Sequence, residues 1–121
     1  MKTNGIIKVD LRKYWADGSS PVAARVMFPD KHFGGEAVFV PAAESPDGPA
    51  KAEEDDGYVM TLVYNAVKAT SYFMVYDAKT LKELAKVDLQ VRVPYGFHGT
   101  FLSEEKLQAQ LKEFAANSLS P

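Results

Sequence analysis

The sequence predicts an all-β protein, an antiparallel sheet of the propeller or sandwich kind followed by one short C-terminal helix. Three observations predict it. Short runs of β-branched and aromatic residues recur along the chain, turn-forming residues separate them about every ten residues, and nowhere do strands alternate with helices as a parallel sheet requires.

Taken in order, GIIKVDL (5–11) reads as a first strand that WADGSSP ends. VAARVMF (22–28) and EAVFVP (36–41) are the next two, with PDKHFGG as the turn between them, where Gly34 and Gly35 permit backbone angles closed to other residues. Residues 42–56, rich in Pro, Ala and acid without an apolar period, read as an exposed acidic loop. GYVMTLVY (57–64) is apolar at nearly every position, as expected of a strand covered on both faces, and SYFMVYDA (71–78) repeats that character after a short connection. Together they form a hairpin. DAKT (77–80) has the Asp-first composition of a type I turn, and LKELAKVDLQV (81–91) then regains alternation, with a helix over LKELAK as the competing reading. Ser103 before Glu104 and Glu105 resembles an N-cap. Leu107, Leu111 and Phe114 form a stripe at helical spacing, which predicts a helix packed on its own domain.

Composition narrows the function. A chain of 121 residues is one domain at most, and at that size it buries roughly two-thirds of the surface it exposes when unfolded. Hydrophobic residues at 46% and charged residues at 25% are ordinary for a globular protein. A net charge of -2 offers no electrostatic attraction for nucleic acid or an anionic membrane. The absence of cysteine excludes disulfides, thiolate metal sites and a cysteine nucleophile. The first residues are no signal peptide, and no run reaches membrane-spanning length, so the chain is expected to be soluble.

Two histidines remain as candidate chemistry. His32, in PDKHFGG, reads as an exposed or partly packed loop residue and is left out of any site. His98, in RVPYGFHGTF (92–101), reads equally as a packed residue, a catalytic base or a metal ligand. Apolar neighbours would favour its neutral, metal-binding form. One histidine holds no metal alone, and there is no H-E-x-x-H pair, nucleophile elbow, Walker loop or dinucleotide fingerprint to extend the reading.

The motifs FGGEAVFVP (33–41), EDDGYV (54–59) and RVPYGFHGTF (92–101), in this order, closely resemble the C-terminal part of the carotenoid cleavage oxygenases. That family includes plant carotenoid and 9-cis-epoxycarotenoid dioxygenases, bacterial apocarotenoid and stilbene cleavage enzymes, and the animal retinoid isomerase. The resemblance implies a seven-bladed β-propeller, of which this chain would carry the last blades, and an Fe(II) cofactor held on the axis by four histidines from different blades. His98 falls on the last of those histidines. Glu36 falls on a glutamate that hydrogen-bonds an iron-bound histidine, an arrangement that fixes the tautomer and raises ligand basicity. Pro94 and Gly96 would set the corner that aims His98 inward. Tyr95, Phe97 and Phe101 read as propeller packing ahead of substrate wall, and Asp55 and Asp56 as loop-ending acids that satisfy backbone donors. The implied partners are a carotenoid or apocarotenoid and O₂, in a plastid or the cytosol; attachment to a membrane is not legible in these residues.

The departures from the family carry their own expectations. The other three histidines belong to earlier blades, and His32 stands where plant members commonly have Arg. The chain alone is therefore expected to be inactive, as a fragment of a longer enzyme whose Met1 falls inside a blade. The alternative is a non-catalytic remnant that binds a partner or an apocarotenoid. Unpaired strand edges predict poor solution behaviour for the isolated chain.

Overall fold

The computed structural model describes residues 2–42, 53–96 and 98–118. Along them run β1 (Gly5–Val9), α1 (Leu11–Asp17), β2 (Val22–Met27), β3 (His32–Pro41), β4 (Gly57–Asn65), β5 (Thr70–Asp77), β6 (Glu83–Asp88) and α2 (Glu104–Ser118). β3, β4, β5 and β6 form one antiparallel sheet in chain order, and β1 pairs with β2 in a separate two-stranded sheet. A four-stranded meander in chain order is the unit that a propeller repeats.

The sheet has two different faces because side chains alternate along each strand. Val63, Tyr72, Met74 and Tyr76 are buried on one of them, where Ile6, Val26 and Phe28 from the two-stranded sheet and its exit pack against them. Cross-strand pairing sets Val63 beside Tyr72 and Val59 beside Tyr76, so β4 and β5 contribute in register. Gly34 is needed for this packing. A Cβ there would land on the Phe28 ring, so Gly34→Ala is expected to cost about 1–3 kcal/mol by overpacking. Thermal unfolding checks this: Tm should fall by at least about 4 °C.

Several expectations change. The first strand stops at Val9 rather than Leu11, and the segment read as a strand end is helix α1. Its signals were local: Asp10 accepts the amides of Arg12 and Lys13, and Gly18 closes the helix at φ 70°. The turn expected over PDKHFGG ends earlier, since β3 begins at His32 and carries both glycines. His32 is half-buried, stacked on Tyr72 with ring centroids 6.1 Å apart. Of LKELAK, Glu83–Lys86 open β6 instead of a helix, and every residue of β6 is exposed, while buried Leu81 precedes it in the turn at φ 56°. Asp77 accepts both the amide and the hydroxyl of Thr80, as the Asp-first turn requires.

At the C-terminal end Ser103 does cap α2, its hydroxyl accepting the amide of Lys106. The stripe is largely open to solvent instead of buried. Leu107, Leu111 and Phe114 are exposed, and α2 lies against no strand among the described residues. Residues 43–52 of the acidic loop lie outside the described residues; at its end Asp55 pairs with Lys8 at 2.5 Å, and Asp56 lies 3.7 Å from Lys79. Both side chains therefore have lysine partners, and Asp55 also takes a backbone hydrogen bond as expected of a loop-ending acid.

Candidate functional site

Glu36 is aimed by an irregularity in β3. Gly34 pairs with Val63 and Ala37 with Thr61, so Gly35 and Glu36 together stand opposite Leu62. Such a bulge bends a strand and redirects a side chain. The Thr61 hydroxyl donates to the Glu36 carbonyl at 2.9 Å and gives it a partner where the ladder is interrupted.

His98 arrives from the far side of the same sheet. After β6, Gln90 takes a left-handed conformation at φ 57°, with its amide donating to the Asp88 carboxylate. The chain then crosses back to β5. There the Ser71 amide donates to the Val91 carbonyl at 2.8 Å, the Leu89 amide to the Ser71 carbonyl at 3.0 Å, and the Val93 amide to the Ser71 hydroxyl at 3.0 Å. Neither Thr61 nor Ser71 was singled out in the sequence. Nothing in a run of strand residues marks a hydroxyl that holds backbone elsewhere.

The two predicted residues meet. Glu36 Oε1 lies 3.2 Å from His98 Nδ1, and Glu36 Oε2 accepts the Gly99 amide at 2.6 Å. An ionised carboxylate only accepts, so Nδ1 carries the ring proton and Nε2 is the nitrogen with ligand character. Of the other two predicted residues, Pro94 and Gly96 both line the cavity beside His98. Gly96 is not in the left-handed region, so the unusual angle in this connection belongs to Gln90.

That cavity, of about 380 Å³, lies over the second face of the sheet. Val38, Met60, Leu62 and Phe73 floor it, and Tyr95, Phe101 and His98 line it from the returning chain. Tyr95 packs edge-on against Tyr64 with ring centroids 6.0 Å apart, as expected, and also lines the cavity, whereas Phe101 lines it while exposed. Phe97 lies outside the described residues.

The Gly99 amide, and after it the His98 ring, hold the Glu36 carboxyl below the usual glutamate range. A carboxyl lowered in the folded state contributes stability that is present above its unfolded value. That stability is lost as pH falls through the lowered one. In an NMR titration the Gly99 amide resonance is therefore expected to shift with a midpoint below that of glutamate in an unstructured peptide. A midpoint at or above that value would contradict the clasp.

A histidine with its Nδ1–H on a carboxylate has the donor chemistry of a transition-metal ligand. Among the described residues no three His, Cys, Asp or Glu side chains converge into a set that would hold a metal. No helix among them is long and apolar enough to cross a membrane.

Comparison with known proteins gives this geometry its context. The sequence profile of the family described as retinal pigment epithelial membrane protein matches residues 1–103. The probable carotenoid cleavage dioxygenase 4, chloroplastic, of Arabidopsis thaliana is 45% identical over 108 residues, 88% of this chain and 17% of the relative. The zeaxanthin 7,8(7',8')-cleavage dioxygenase, chromoplastic, of Crocus sativus is 44% identical over 111 residues, 90% of this chain and 29% of the relative. Among solved structures, a point variant of the Synechocystis apocarotenoid oxygenase superposes with a TM-score of 0.62 at 30% identity, covering 82% of this chain and 18% of that one. These structural neighbours are β-propellers, and the chain spans less than a third of the length of the relatives it matches. With the family profile running from residue 1 to residue 103 and dioxygenase relatives aligned along most of the sequence, the chain belongs to the family of the retinal pigment epithelial membrane protein and the carotenoid cleavage oxygenases.

Proposed function

We propose that this chain is the C-terminal propeller segment of a non-haem Fe(II) dioxygenase that uses O₂ to cleave a C=C bond of a carotenoid or apocarotenoid. The observation that carries the reading is the clasp in which Glu36 holds both His98 Nδ1 and the Gly99 amide. His98 ligates through Nε2, and Glu36 fixes its tautomer and orientation. Pro94 and Gly96 shape the backbone between the Val93 anchor and His98. Fe(II), when bound, supplies the centre at which O₂ becomes reactive toward a double bond, and the products are two carbonyl compounds. The cavity wall of Val38, Met60, Leu62 and Phe73 offers an apolar surface beside the ligand that suits a polyene.

The remaining three histidines come from earlier blades of a seven-bladed propeller, to which this chain adds the sheet β3–β6 and the pair β1–β2. The isolated chain is inactive on this reading. The chloroplastic and chromoplastic names of its relatives support a plastid location. The test is to purify the longer protein that carries this sequence, measure its iron by elemental mass spectrometry and incubate it with carotenoids and O₂. One iron per chain and two carbonyl products from one double bond are expected. A protein that binds no iron and yields no carbonyl product overturns the reading.

A further inference from the structure

Two buried hydroxyls lie behind the two halves of the Glu36–His98 pair. Thr61 is 4% exposed and Ser71 is 1% exposed, on the adjacent central strands β4 and β5. Each uses its side chain on irregular backbone instead of on another side chain. Thr61 donates to the carbonyl of Glu36 inside the bulge, and Ser71 accepts the amide of Val93 in the returning chain.

We infer that Thr61 and Ser71 are positioning residues that lock the two backbone segments bearing Glu36 and His98, so that the pair is pre-formed in the folded protein. The bulge at Gly35 and Glu36 interrupts the ladder of β3, and the segment from Leu89 to Val93 lies beyond the end of β6. The bulge leaves Glu36 outside the regular ladder, and the returning segment keeps only the backbone bonds of Leu89 and Val91 to Ser71 before it leaves the sheet at Val93. Strands β4 and β5, paired along their whole length, are the rigid reference, and a hydroxyl from each ties one segment to it. The two hydroxyl bonds add to those backbone bonds at the points nearest the pair, inside the bulge at Glu36 and at Val93 on the way to His98, although the residues are far apart in sequence. Side chains that orient a metal ligand in this way alter metal affinity without touching the metal.

The inference about the pair stands on this chain's own geometry; its consequence for iron rests on the dioxygenase reading above. Three variants test it: Thr61→Val, which keeps the shape and removes the donor, Ser71→Ala, and Thr61→Ser, which restores the hydroxyl. In this chain, hydrogen exchange of the Gly99 amide is compared with that of Val63 in the centre of β4. Thr61→Val and Ser71→Ala are expected to speed Gly99 exchange about tenfold relative to Val63. In the longer protein they are expected to weaken Fe(II) binding by about 10–100-fold. Thr61→Ser is expected to return both values to those of the unaltered protein. If Gly99 exchange follows Val63 in both variants, with only a lower Tm, the inference is overturned. If Gly99 loosens while Fe(II) affinity holds, the positioning role stands and the assignment of His98 as a ligand falls.

Discussion

Replacing His98 with alanine in the longer protein that carries this sequence is expected to remove bound iron and abolish C=C cleavage. The argument is chemical: alanine has no donor atom, and the carboxylate that held the ring is left on the Gly99 amide alone. Glu36→Ala is expected to be milder. It leaves the imidazole but removes the group that fixes its tautomer, at a cost of about 10–100-fold in metal affinity. Glu36→Gln should fall between the unaltered protein and Glu36→Ala, because an amide oxygen still accepts one of the two donors while the charge is gone. Iron content by elemental mass spectrometry and product yield by chromatography measure the series. Full iron and full cleavage in the His98→Ala protein would sink the ligand assignment, whatever the relatives do.

The largest stability effect is expected at Tyr76. It is 1% exposed in the centre of the core beside Val63, Tyr72 and Met74, and burial raises its hydroxyl pKa. Removing a ring of that size from a packed core leaves a cavity that neighbouring strands, held by their ladders, do not collapse to fill. Tyr76→Ala is therefore expected to cost about 3–5 kcal/mol. Tyr58, on β4 but 40% exposed, supplies the comparison: Tyr58→Ala should cost less than about 1.5 kcal/mol. Urea denaturation followed by circular dichroism separates them through their midpoints. Equal midpoints for the two variants would mean that the face against β1 and β2 is not the core.

Several features were legible in the sequence because their physics is local. The strands from Gly57 to Asn65 and from Thr70 to Asp77 announced themselves by continuous apolar character, the turn at Asp77 by its first residue, and the cap of α2 by Ser103. Helix α1 is equally local, marked by Asp10 and Gly18, but the β-branched run before it reads as a strand that continues to Leu11. The stripe on α2 misled for the opposite reason. Apolar spacing says which side of a helix wants burial but not what is there to bury it, and among the described residues α2 lies against no strand.

His98 and Glu36 were singled out by resemblance, and residue spacing alone left His98 open between packing, catalysis and ligation. The strands, the turns that join them and the family to which their motifs point are all legible in the amino-acid order, since these depend on neighbours within a few residues. The folded chain alone shows that a bulge in β3 and a left-handed corner at Gln90 accompany an approach of Glu36 to His98 at 3.2 Å, with the Thr61 and Ser71 hydroxyls bonded to the two segments concerned. Contacts across 62 residues of chain depend on strand register and on where a ladder breaks, and no short-range pattern of side chains encodes either.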